Sequence, residues 1–303
     1  MKNNVTENTH FTRIERILDY IHTHIDLPLT VESLAKKSCW SRWQLQRTFL
    51  KQTNQTVAQY VREIKLSLAA EQLLVSKNRI MDIALNCGFN SEVSFTRSFK
   101  QLFDCSPSAY RKRGQSIGLK TPLISTMPAY QAYEVKKRLL QIRFEHMDDF
   151  HFYGVCGQIR GLFSQQPNYS EVIPTIWQAM ANYTEENPPF TKPVMGIIDT
   201  RNNGVVTDYW AGYQVTKNEA SHLPNTHLLD IPAQTYAVIP HRGLVKHLDL
   251  TMQWFLTHWL PESHYQSVDG FDLEIYQAGF DIHNNESSME CWIPIQLKNS
   301  HLL

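Results

Sequence analysis

The sequence has few cysteines and no long apolar run. Its five cysteines are scattered among 303 residues without a C-x-x-C pair, so we expect reduced thiols, with neither a disulfide framework nor a metal site. No stretch approaches the roughly 18 apolar residues that span a bilayer, and the first ten residues have no apolar segment typical of a signal peptide. We therefore expect a soluble, cytoplasmic protein with no membrane partner.

Catalytic signatures are also missing. The sequence contains no G-x-S-x-G, H-E-x-x-H, P-loop or G-x-G-x-x-G motif. His22 and His24 are two positions apart on a predicted helix, so they point away from one another and cannot share a metal. We expect no enzymatic activity, no catalytic residues and no cofactor.

The net charge of zero conceals two oppositely charged parts. Residues 1–120 hold 18 of the 29 basic and 10 of the 29 acidic residues, which leaves 11 basic and 19 acidic residues for the remainder. A basic segment suits a polyanion such as DNA, because each phosphate contact releases counterions. The acidic remainder is a poor nucleic-acid surface and suggests a different partner.

The hydrophobic pattern changes along the chain at the same place as the charge. Between Phe11 and about Arg113 apolar residues recur at helical spacing, whereas alternating and β-branched runs begin near Gln141. The intervening 114–121 is rich in Gly and Ser and predicts a linker. The expected organisation is therefore a helical domain at 1–113 and a mixed α+β domain at 122–303.

The helical part contains an internal repeat at an offset of 49 to 50 residues. The matching pairs are Ala35 with Ala84, Trp40 with Phe89, Arg47 with Arg97, Phe49 with Phe99, and Tyr60 with Tyr110. Each copy has the pattern of a short helix, a tight turn, an N-cap and a second helix with a basic face. Ser41 and Gln44 form a capping-box pattern, and Asn90 or Ser91 caps the second copy after the permissive Gly88.

A helix, a tight turn and a second helix form the DNA-binding helix-turn-helix geometry. The two motifs are predicted at about 31–52 and 80–103, with a connecting helix at 57–74. Two motifs in one chain reach two successive major-groove segments, so a monomer or weak dimer is sufficient for DNA binding. The alternative is a helical bundle without a nucleic-acid role, which the repeat, the caps and the charge disfavour.

Several long motifs in this part resemble a known family. They are Leu27 to Ala35 (LPLTVESLA), Ser41 to Phe49 (SRWQLQRTF), Ile83 to Phe89 (IALNCGF), Phe95 to Lys100 (FTRSFK) and Phe103 to Arg111 (FDCSPSAYR). Residues 11–113 thereby resemble the DNA-binding domain of the AraC/XylS transcription regulators, and in particular the branch that includes Rob, MarA and SoxS. The resemblance implies that Trp43, Gln46 and Arg47 face bases.

The side-chain chemistry agrees with that implication. Arg47 has the donors to bind guanine bidentately, Gln46 reads adenine or bridges through water, and Trp43 offers apolar area to thymine methyls. The expected base contacts are Trp43, Gln46, Arg47, Ser94 and Arg97. The expected DNA-backbone contacts are Ser41, Arg42, Lys51, Ser91, Thr96 and Lys100.

Two positions depart from the family pattern. Cys39 stands where the branch has glycine, so the first turn either carries a strain of roughly 1 kcal/mol or differs slightly in shape. Glu92 and Val93 replace two glutamines at the start of the second recognition helix. We therefore expect weaker hydrogen-bonding readout in the second half-site, with Ser94 and Arg97 making mainly backbone or water-mediated contacts.

The acidic part shows a second approximate duplication. The order strand, helix, strand, strand is predicted twice, first across 152–215 and again across 235–297. Two such units would form an antiparallel sheet with two helices on one face and a concave seam suited to small molecules. The fold class is therefore an all-α double helix-turn-helix domain followed by a duplicated α+β domain.

Three motifs in this part resemble the GyrI-like effector-binding domain: Tyr153 to Val155 (YGV), Asp272 to Phe280 (DLEIYQAGF) and Met289 to Ile295 (MECWIPI). The resemblance implies an aromatic pocket with a carboxylate that binds amphipathic, often cationic, small molecules. The carboxylate is assigned to Glu290, with Glu274 as the alternative. The aromatic candidates are Trp210, Tyr213, Trp254, Tyr276 and Trp292. Strand alternation prevents them all from lining one cavity.

The sequence thus predicts a Rob-type transcription regulator that binds double-stranded DNA and is modulated by a small-molecule effector. RNA polymerase is an expected partner. One alternative keeps the DNA reader and makes the acidic part a ligand-free protein-interaction module. A third hypothesis, drawn from hydrolytic relatives of the GyrI-like fold, is a hydrolase tethered to DNA.

Overall fold

A computed structural model describes residues 2–126, 138–161, 164–185, 194–201, 206–224, 227–277, 280–281, 284 and 286–298. The chain divides into two compact units, 1–145 and 146–303. The sequence instead predicts a linker at 114–121, whereas the first unit extends beyond that stretch to Glu145. In the described part, no helix is both long and apolar enough to cross a membrane.

The first unit is built from helices. They are α1 (Lys2–Thr23), α2 (Val31–Ser38), α3 (Arg42–Thr53), α4 (Val57–Val75), α5 (Ile80–Asn86), α6 (Glu92–Phe103) and α7 (Pro107–Arg113). Two short strands follow, β1 (Ile124–Thr126) and β2 (Arg138–Leu140), which pair with each other. The strand β3 (Arg143–Met147) spans the division between the units.

Hydroxyl N-caps determine where most of these helices begin. Thr30, Ser41, Thr56, Ser91 and Ser106 each accept a hydrogen bond from a backbone N–H in the first turn of the following helix. The predicted capping box is present, because Gln44 N–H donates to Ser41 Oγ (3.2 Å) and Ser41 N–H donates to Gln44 Oε1 (3.0 Å). Ser91, rather than Asn90, caps α6.

The internal repeat is confirmed as a structural repeat. The pairs α2–α3 and α5–α6 are the two predicted helix-turn-helix motifs, and α4 joins them as the predicted connecting helix. Equivalent positions are buried in both copies, as shown by Phe49 and Phe99 and by Tyr60 and Tyr110. The sequence repeat therefore corresponds to two copies of the same packing arrangement.

The two tight turns have the same geometry despite their different residues. Cys39 has φ 54° and Gly88 has φ 72°, both in the left-handed region. Trp40 N–H donates to Ala35 O (3.1 Å), and Phe89 N–H makes the equivalent bond to Ala84 O (3.0 Å). The first turn therefore keeps its shape, and Cys39 carries the strain that glycine avoids.

Residues 117–123 pack along α4. Lys120 Nζ lies 2.7 Å from Glu63 Oε2, and Lys120 N–H donates to Ser67 Oγ (3.1 Å). Further along, Leu123 N–H donates to Tyr60 Oη (2.8 Å). The stretch that composition predicts as a linker is thus bonded to the connecting helix.

The second unit alternates strands and helices. Its strands are β4 (Phe150–Ile159), β5 (Val194–Asp199), β6 (Thr207–Val215), β7 (Leu228–Ile231), β8 (Gln234–Arg242), β9 (Tyr265–Ser267), β10 (Phe271–Tyr276) and β11 (Ser288–Leu297). Its helices are α8 (Tyr169–Glu185), α9 (Lys217–Ala220), α10 (Leu248–Trp254) and α11 (Leu260–Glu262), with a 3-10 turn at Val245–His247 and a π turn at Phe255–Trp259.

The predicted duplication is present in the sheet. The strands lie in the order β8-β11-β10-β5-β6-β4-β7, and all the pairings along this path are antiparallel. One copy is β4-α8-β5-β6 and the other is β8-α10-β10-β11, so β5 and β10 occupy equivalent places and meet at the centre. Glu274 of β10 lies opposite Gly196 of β5 at this central seam.

The strand register separates the sheet into two faces. Asp272, Glu274 and Tyr276 point to one face together with Tyr209 and Ala211 of β6. Helix α8 covers this face, because Ile176 and Met180 pack in one core cluster with Tyr209 and Ala211. The opposite face carries a second cluster that includes Phe152, Ile197 and Leu273.

Candidate DNA interface and ligand site

The first recognition helix, α3, presents its functional side chains outward from a buried stripe. Leu45 and Phe49 are fully buried, whereas Trp43 is 63% exposed and Gln46 and Arg47 are exposed. The guanidinium carbon of Arg47 lies 5.1 Å from the ring centroid of Trp43, within cation–π range. Trp43 is therefore no core aromatic, and it orients Arg47 on the outer surface.

The second recognition helix, α6, repeats this arrangement with different chemistry. Phe95 and Phe99 are fully buried, while Val93 is 81% exposed and Arg97 is exposed. Glu92 occupies the first turn, where a carboxylate favours the positive end of the helix dipole. Ser94 Oγ donates to Ser91 O (2.9 Å), so this hydroxyl is already engaged at the helix start.

The expected phosphate contacts occupy both ends of the two helices. Ser41 and Ser91 are the N-caps, and their hydroxyls accept backbone N–H donors. Arg42 begins α3, while Lys51 and Lys100 lie in the last turns of α3 and α6. Thr96 is half-buried on α6. The basic side chains among them are exposed and suit phosphate contacts on either side of a groove.

In the second unit, a buried carboxylate is held by two tyrosines. Tyr209 Oη donates to Glu274 Oε2 (2.7 Å), and Tyr276 Oη donates to the same oxygen (2.5 Å). Trp177 Nε1 donates to Tyr209 Oη (3.1 Å) from α8. Within the described residues no hydrogen bond engages Glu274 Oε1. Oε2 is thus held by two hydroxyl donors, and the Glu274 side chain is buried, with the residue 8% exposed.

Further aromatic rings pack against Tyr276, one of the two tyrosines that hold this carboxylate. The rings of Trp177 and Tyr276 are edge to face with centroids 5.4 Å apart, and Tyr276 also packs against Phe280 at 4.8 Å. We define Trp177, Tyr209, Glu274, Tyr276 and Phe280 as the acid–aromatic cluster. A buried carboxylate next to aromatic rings has the chemistry that would suit a cation with apolar substituents.

Burial changes the protonation chemistry of the cluster. Desolvation raises the pKa of Glu274, although the hydrogen bonds from Tyr276 and Tyr209 oppose that rise. Desolvation also raises the pKa values of Tyr209 and Tyr276 well above the ordinary value, with the Glu274 carboxylate adding to the effect. Two residues from Glu274, burial raises the pKa of Asp272 to about 7.

Gly196 provides the space in which the cluster forms. A Cβ atom at this position would lie 2.2 Å from Tyr209 Oη and 2.8 Å from Glu274 Oε2. No side chain fits there without displacing both groups. The glycine on β5 is therefore required for the close approach of the Tyr209 hydroxyl to the Glu274 carboxylate.

The ligand residues expected from sequence divide between the two faces. Glu274, Tyr276 and Tyr213 lie on the face covered by α8, whereas Glu290, Trp292 and Trp210 lie on the opposite face. On that second face, Trp292 Nε1 donates to Glu290 Oε2 (3.1 Å). Trp254 belongs to α10, outside the sheet. As expected, these residues do not all line one cavity, because they lie on two faces of the sheet. Of them, only Glu274 and Tyr276 belong to the acid–aromatic cluster.

Sequence reasoning missed Trp177, Tyr209 and Gly196. The strand alternation that separates Trp210 from Tyr213 also places Tyr209 on the Glu274 face, so that signal was present for Tyr209. Trp177 comes from a helix, and its position depends on helix packing, which alternation does not report. Across the described residues, no group of three or more His, Cys, Asp or Glu side chains is arranged to hold a metal ion.

These features define a helix-turn-helix DNA-binding protein with a separate small-molecule-binding domain. Residues 34–113 match the helix-turn-helix domain family, and residues 140–296 match the GyrI-like small molecule binding domain family. Regulatory protein SoxS of Salmonella typhimurium is 42% identical over 105 residues, which cover 35% of this chain and 98% of SoxS. Multiple antibiotic resistance protein MarA of Escherichia coli is 38% identical over 104 residues, which cover 34% of this chain and 82% of MarA.

The chain belongs to the AraC-type DNA-binding transcription regulators and carries a GyrI-like small-molecule-binding domain. The Rob-type order predicted from the sequence, reader first and GyrI-like domain second, agrees with the matched ranges. A solved structure of SAV2435 bound to tetraphenylphosphonium is similar at 13% identity and a TM-score of 0.39, covering 51% of this chain and 93% of that chain.

Proposed function

We propose that the second unit binds lipophilic organic cations at the acid–aromatic cluster and that binding changes the DNA-binding activity of the first unit. The observation that carries this proposal is the buried Glu274 carboxylate, bonded through Oε2 alone to two tyrosine hydroxyls. An isolated buried carboxylate is unfavourable, and a cation near Oε1 would compensate its charge. The rings of Trp177, Tyr276 and Phe280 would contact the apolar substituents of that cation.

The proposed selectivity follows from charge and desolvation. A neutral ligand of the same shape gains the aromatic contacts but leaves the carboxylate uncompensated, so it binds more weakly. Lowering the pH weakens binding of the cation, since protonation of Glu274 removes the charge it recognises. Because burial raises the pKa of Glu274, this loss begins at a higher pH than for an exposed glutamate.

For the first unit, we propose that α3 and α6 enter successive major-groove segments of one DNA site. Trp43, Gln46 and Arg47 contact bases in the first segment. In the second, Ser94 and Arg97 contribute base or water-mediated contacts. Ser41, Arg42, Lys51, Ser91, Thr96 and Lys100 contact the DNA backbone.

The proposed partners follow from these assignments. Two recognition helices in one chain make monomeric binding sufficient, so we propose a monomer or weak dimer on DNA, acting in the cytoplasm at the nucleoid. A regulator bound beside a promoter acts on transcription through RNA polymerase, which we propose as its protein partner. We propose no enzymatic role.

The test is a titration of the full chain with tetraphenylphosphonium, followed by tryptophan fluorescence. We expect saturable binding, with at least tenfold weaker binding by Glu274→Gln, because glutamine keeps an acceptor for the tyrosines but removes the charge. Glu290→Gln is the matched control, from the opposite face of the sheet, and should bind normally. The uncharged triphenylphosphine oxide should bind more weakly than the cation.

The effect on DNA binding is measured with the same variants. In the wild-type protein, tetraphenylphosphonium should shift the affinity for a cognate duplex, whereas Glu274→Gln should show little shift. Equal affinity of wild type and Glu274→Gln for the cation would contradict the proposed site. A fluorescence response in neither protein would favour a ligand-free interaction module.

A further inference from the structure

Val93 is the most exposed large hydrophobic side chain described on the protein, at 81%. A single exposed apolar residue is ordinary on a protein surface, so exposure alone has no functional meaning. Its position is more informative, because Val93 lies two residues after the N-cap Ser91, at the start of a recognition helix. The N-terminal residues of such a helix face base edges in the major groove.

The internal repeat places Val93 in register with Trp43. Helices α3 and α6 align at an offset of 50 residues, with serine N-caps at Ser41 and Ser91 and fully buried rings at Phe49 and Phe99. Both helices also end in a left-handed residue, Asn54 and Asp104, at the same offset. Trp43 and Val93 thus occupy the same place on equivalent helices, and both are exposed.

The chemistry of an isopropyl group restricts what it recognises in the major groove. Valine has neither donor nor acceptor, so it reads none of the hydrogen-bonding groups on base edges. The one apolar group that base pairs present in the major groove is the C5-methyl of thymine. Next to it, Glu92 is acidic where the first helix has Arg42, so attraction to phosphate is weaker at this point of the second helix.

We propose that Val93 recognises a thymine methyl group in the second half-site and thereby adds sequence specificity to the contacts of Ser94 and Arg97. This inference rests on the proposed placement of α3 and α6 in successive major-groove segments. The first half-site is then read by polar and apolar contacts together, and the second mainly through a methyl group. Val93 is a specificity-determining residue in this account.

The experiment uses the full chain and a duplex recovered by selection from a random pool. Each thymine is replaced in turn by deoxyuridine, which removes only the methyl group. One position in the second half-site should weaken binding roughly three- to fivefold, as expected for one buried methyl group. Val93→Ala should weaken binding to the thymine duplex by a similar factor and should no longer respond to that replacement.

Two further variants serve as controls for Val93→Ala. Val93→Ile keeps a branched apolar side chain and should retain the deoxyuridine penalty. Val75→Ala alters another exposed valine, at the end of α4 and outside both recognition helices, and should leave binding and the penalty unchanged. Both altered positions, Val93 and Val75, are exposed, so we expect all three variants to keep the fold.

The possible results distinguish failure of the Val93 assignment from failure of the proposed DNA reading by α3 and α6. If Val93→Ala keeps the full deoxyuridine penalty, or if no thymine in the second half-site shows one, the inference is overturned. If the wild-type protein does not distinguish the selected duplex from a scrambled one, the proposed reading of DNA by α3 and α6 fails first. Loss of the penalty in Val93→Ala, together with its retention in Val75→Ala, supports the assignment.

Discussion

Arg47 lies over the indole ring of Trp43 on the exposed side of α3, with 5.1 Å between the guanidinium carbon and the ring centroid. Such a contact limits the rotamers of a long side chain and holds its donors in one direction. A planar guanidinium held this way suits bidentate hydrogen bonding to guanine O6 and N7. We therefore propose that Trp43 and Arg47 act together as a preorganised base-reading pair.

We predict that Arg47→Ala weakens binding to a selected duplex by roughly 1–3 kcal/mol and relaxes specificity at one base pair. The cause is loss of a bidentate base contact. The measurement is a set of dissociation constants for the selected duplex and its single-base-pair variants at fixed salt. Arg42→Ala is the comparison variant and should weaken all the duplexes similarly, as a phosphate contact does. A uniform effect of Arg47→Ala would reassign Arg47 to the backbone.

Cys39 carries backbone strain in the first turn. Its φ of 54° lies in the left-handed region, which is unfavourable for a residue with a Cβ atom. Cys39→Gly should therefore raise the free energy of unfolding by about 1 kcal/mol. Urea unfolding of the full chain measures this change.

Cys39→Ala serves as the control for Cys39→Gly. Alanine removes the thiol but keeps the Cβ atom, so its stability should stay close to that of the wild type. A gain equal to that of Cys39→Gly would show that the thiol, and not the left-handed backbone, limits stability. Asn54→Gly should gain less than Cys39→Gly, because asparagine tolerates the left-handed region.

At the scale of single residues, the sequence predicts the exposure of the side chains on α3 better than it predicts the surroundings of Glu274. The exposure of Trp43 follows from the Ser41 cap and the buried stripe of α3, and the internal repeat supports it. The partners of Glu274 come from a neighbouring strand and from α8, and they meet only because Gly196 leaves space between them. Such contacts depend on sheet order and register, which local patterns do not specify.

At the scale of secondary-structure elements, the segment 117–123 is an integral part of the reader. It bonds to α4 at Glu63, Ser67 and Tyr60. Because α4 joins the two helix-turn-helix motifs, these bonds brace the element that sets their separation. Composition predicts a linker here, since Gly and Ser signal a turn but give no information about the helix against which the chain packs.

His22 extends this bracing to α1 and makes it sensitive to pH. Its Nε2 lies 2.6 Å from Tyr60 Oη, and Tyr60 Oη also accepts Leu123 N–H. Burial lowers the pKa of His22 from 6.5 to about 4, with Asp19 opposing the shift. The folded chain thus keeps His22 neutral, whereas the unfolded chain takes up a proton below pH 6.5. The stability contribution is present above pH 6.5 and is lost as the pH falls towards 4.

We predict that the wild-type protein loses on the order of 2 kcal/mol of stability from this group between pH 7 and pH 4. His22→Gln keeps an acceptor for Tyr60 but does not titrate, so its loss over this range should be smaller. Chemical denaturation at several pH values measures the difference. His24→Gln is the control, because His24 is also a histidine near the end of α1 but contacts Tyr20 and not Tyr60. The ring centroids of His24 and Tyr20 are 4.2 Å apart. Identical pH profiles for the wild type and His22→Gln would contradict the assignment.

At the scale of the whole molecule, the two parts of the chain differ in charge. The basic residues concentrate in the reader, and the carboxylates concentrate in the remainder. The duplications in both units were visible in the sequence as spaced pairs and as a repeated order of elements. The boundary was less visible, because the first unit extends to Glu145, beyond the glycine-containing stretch at 114–121.

We propose above that one chain reads two successive major-groove segments through α3 and α6. The most direct test is selection of bound duplexes from a random pool with the full-length protein, repeated across a salt series. We predict one asymmetric site with two blocks of sequence preference about 10 base pairs apart, and an affinity that falls steeply with salt. The block read by α3 should carry more information than the block read by α6. Absence of any enriched sequence, or enrichment of a single block, would contradict the account.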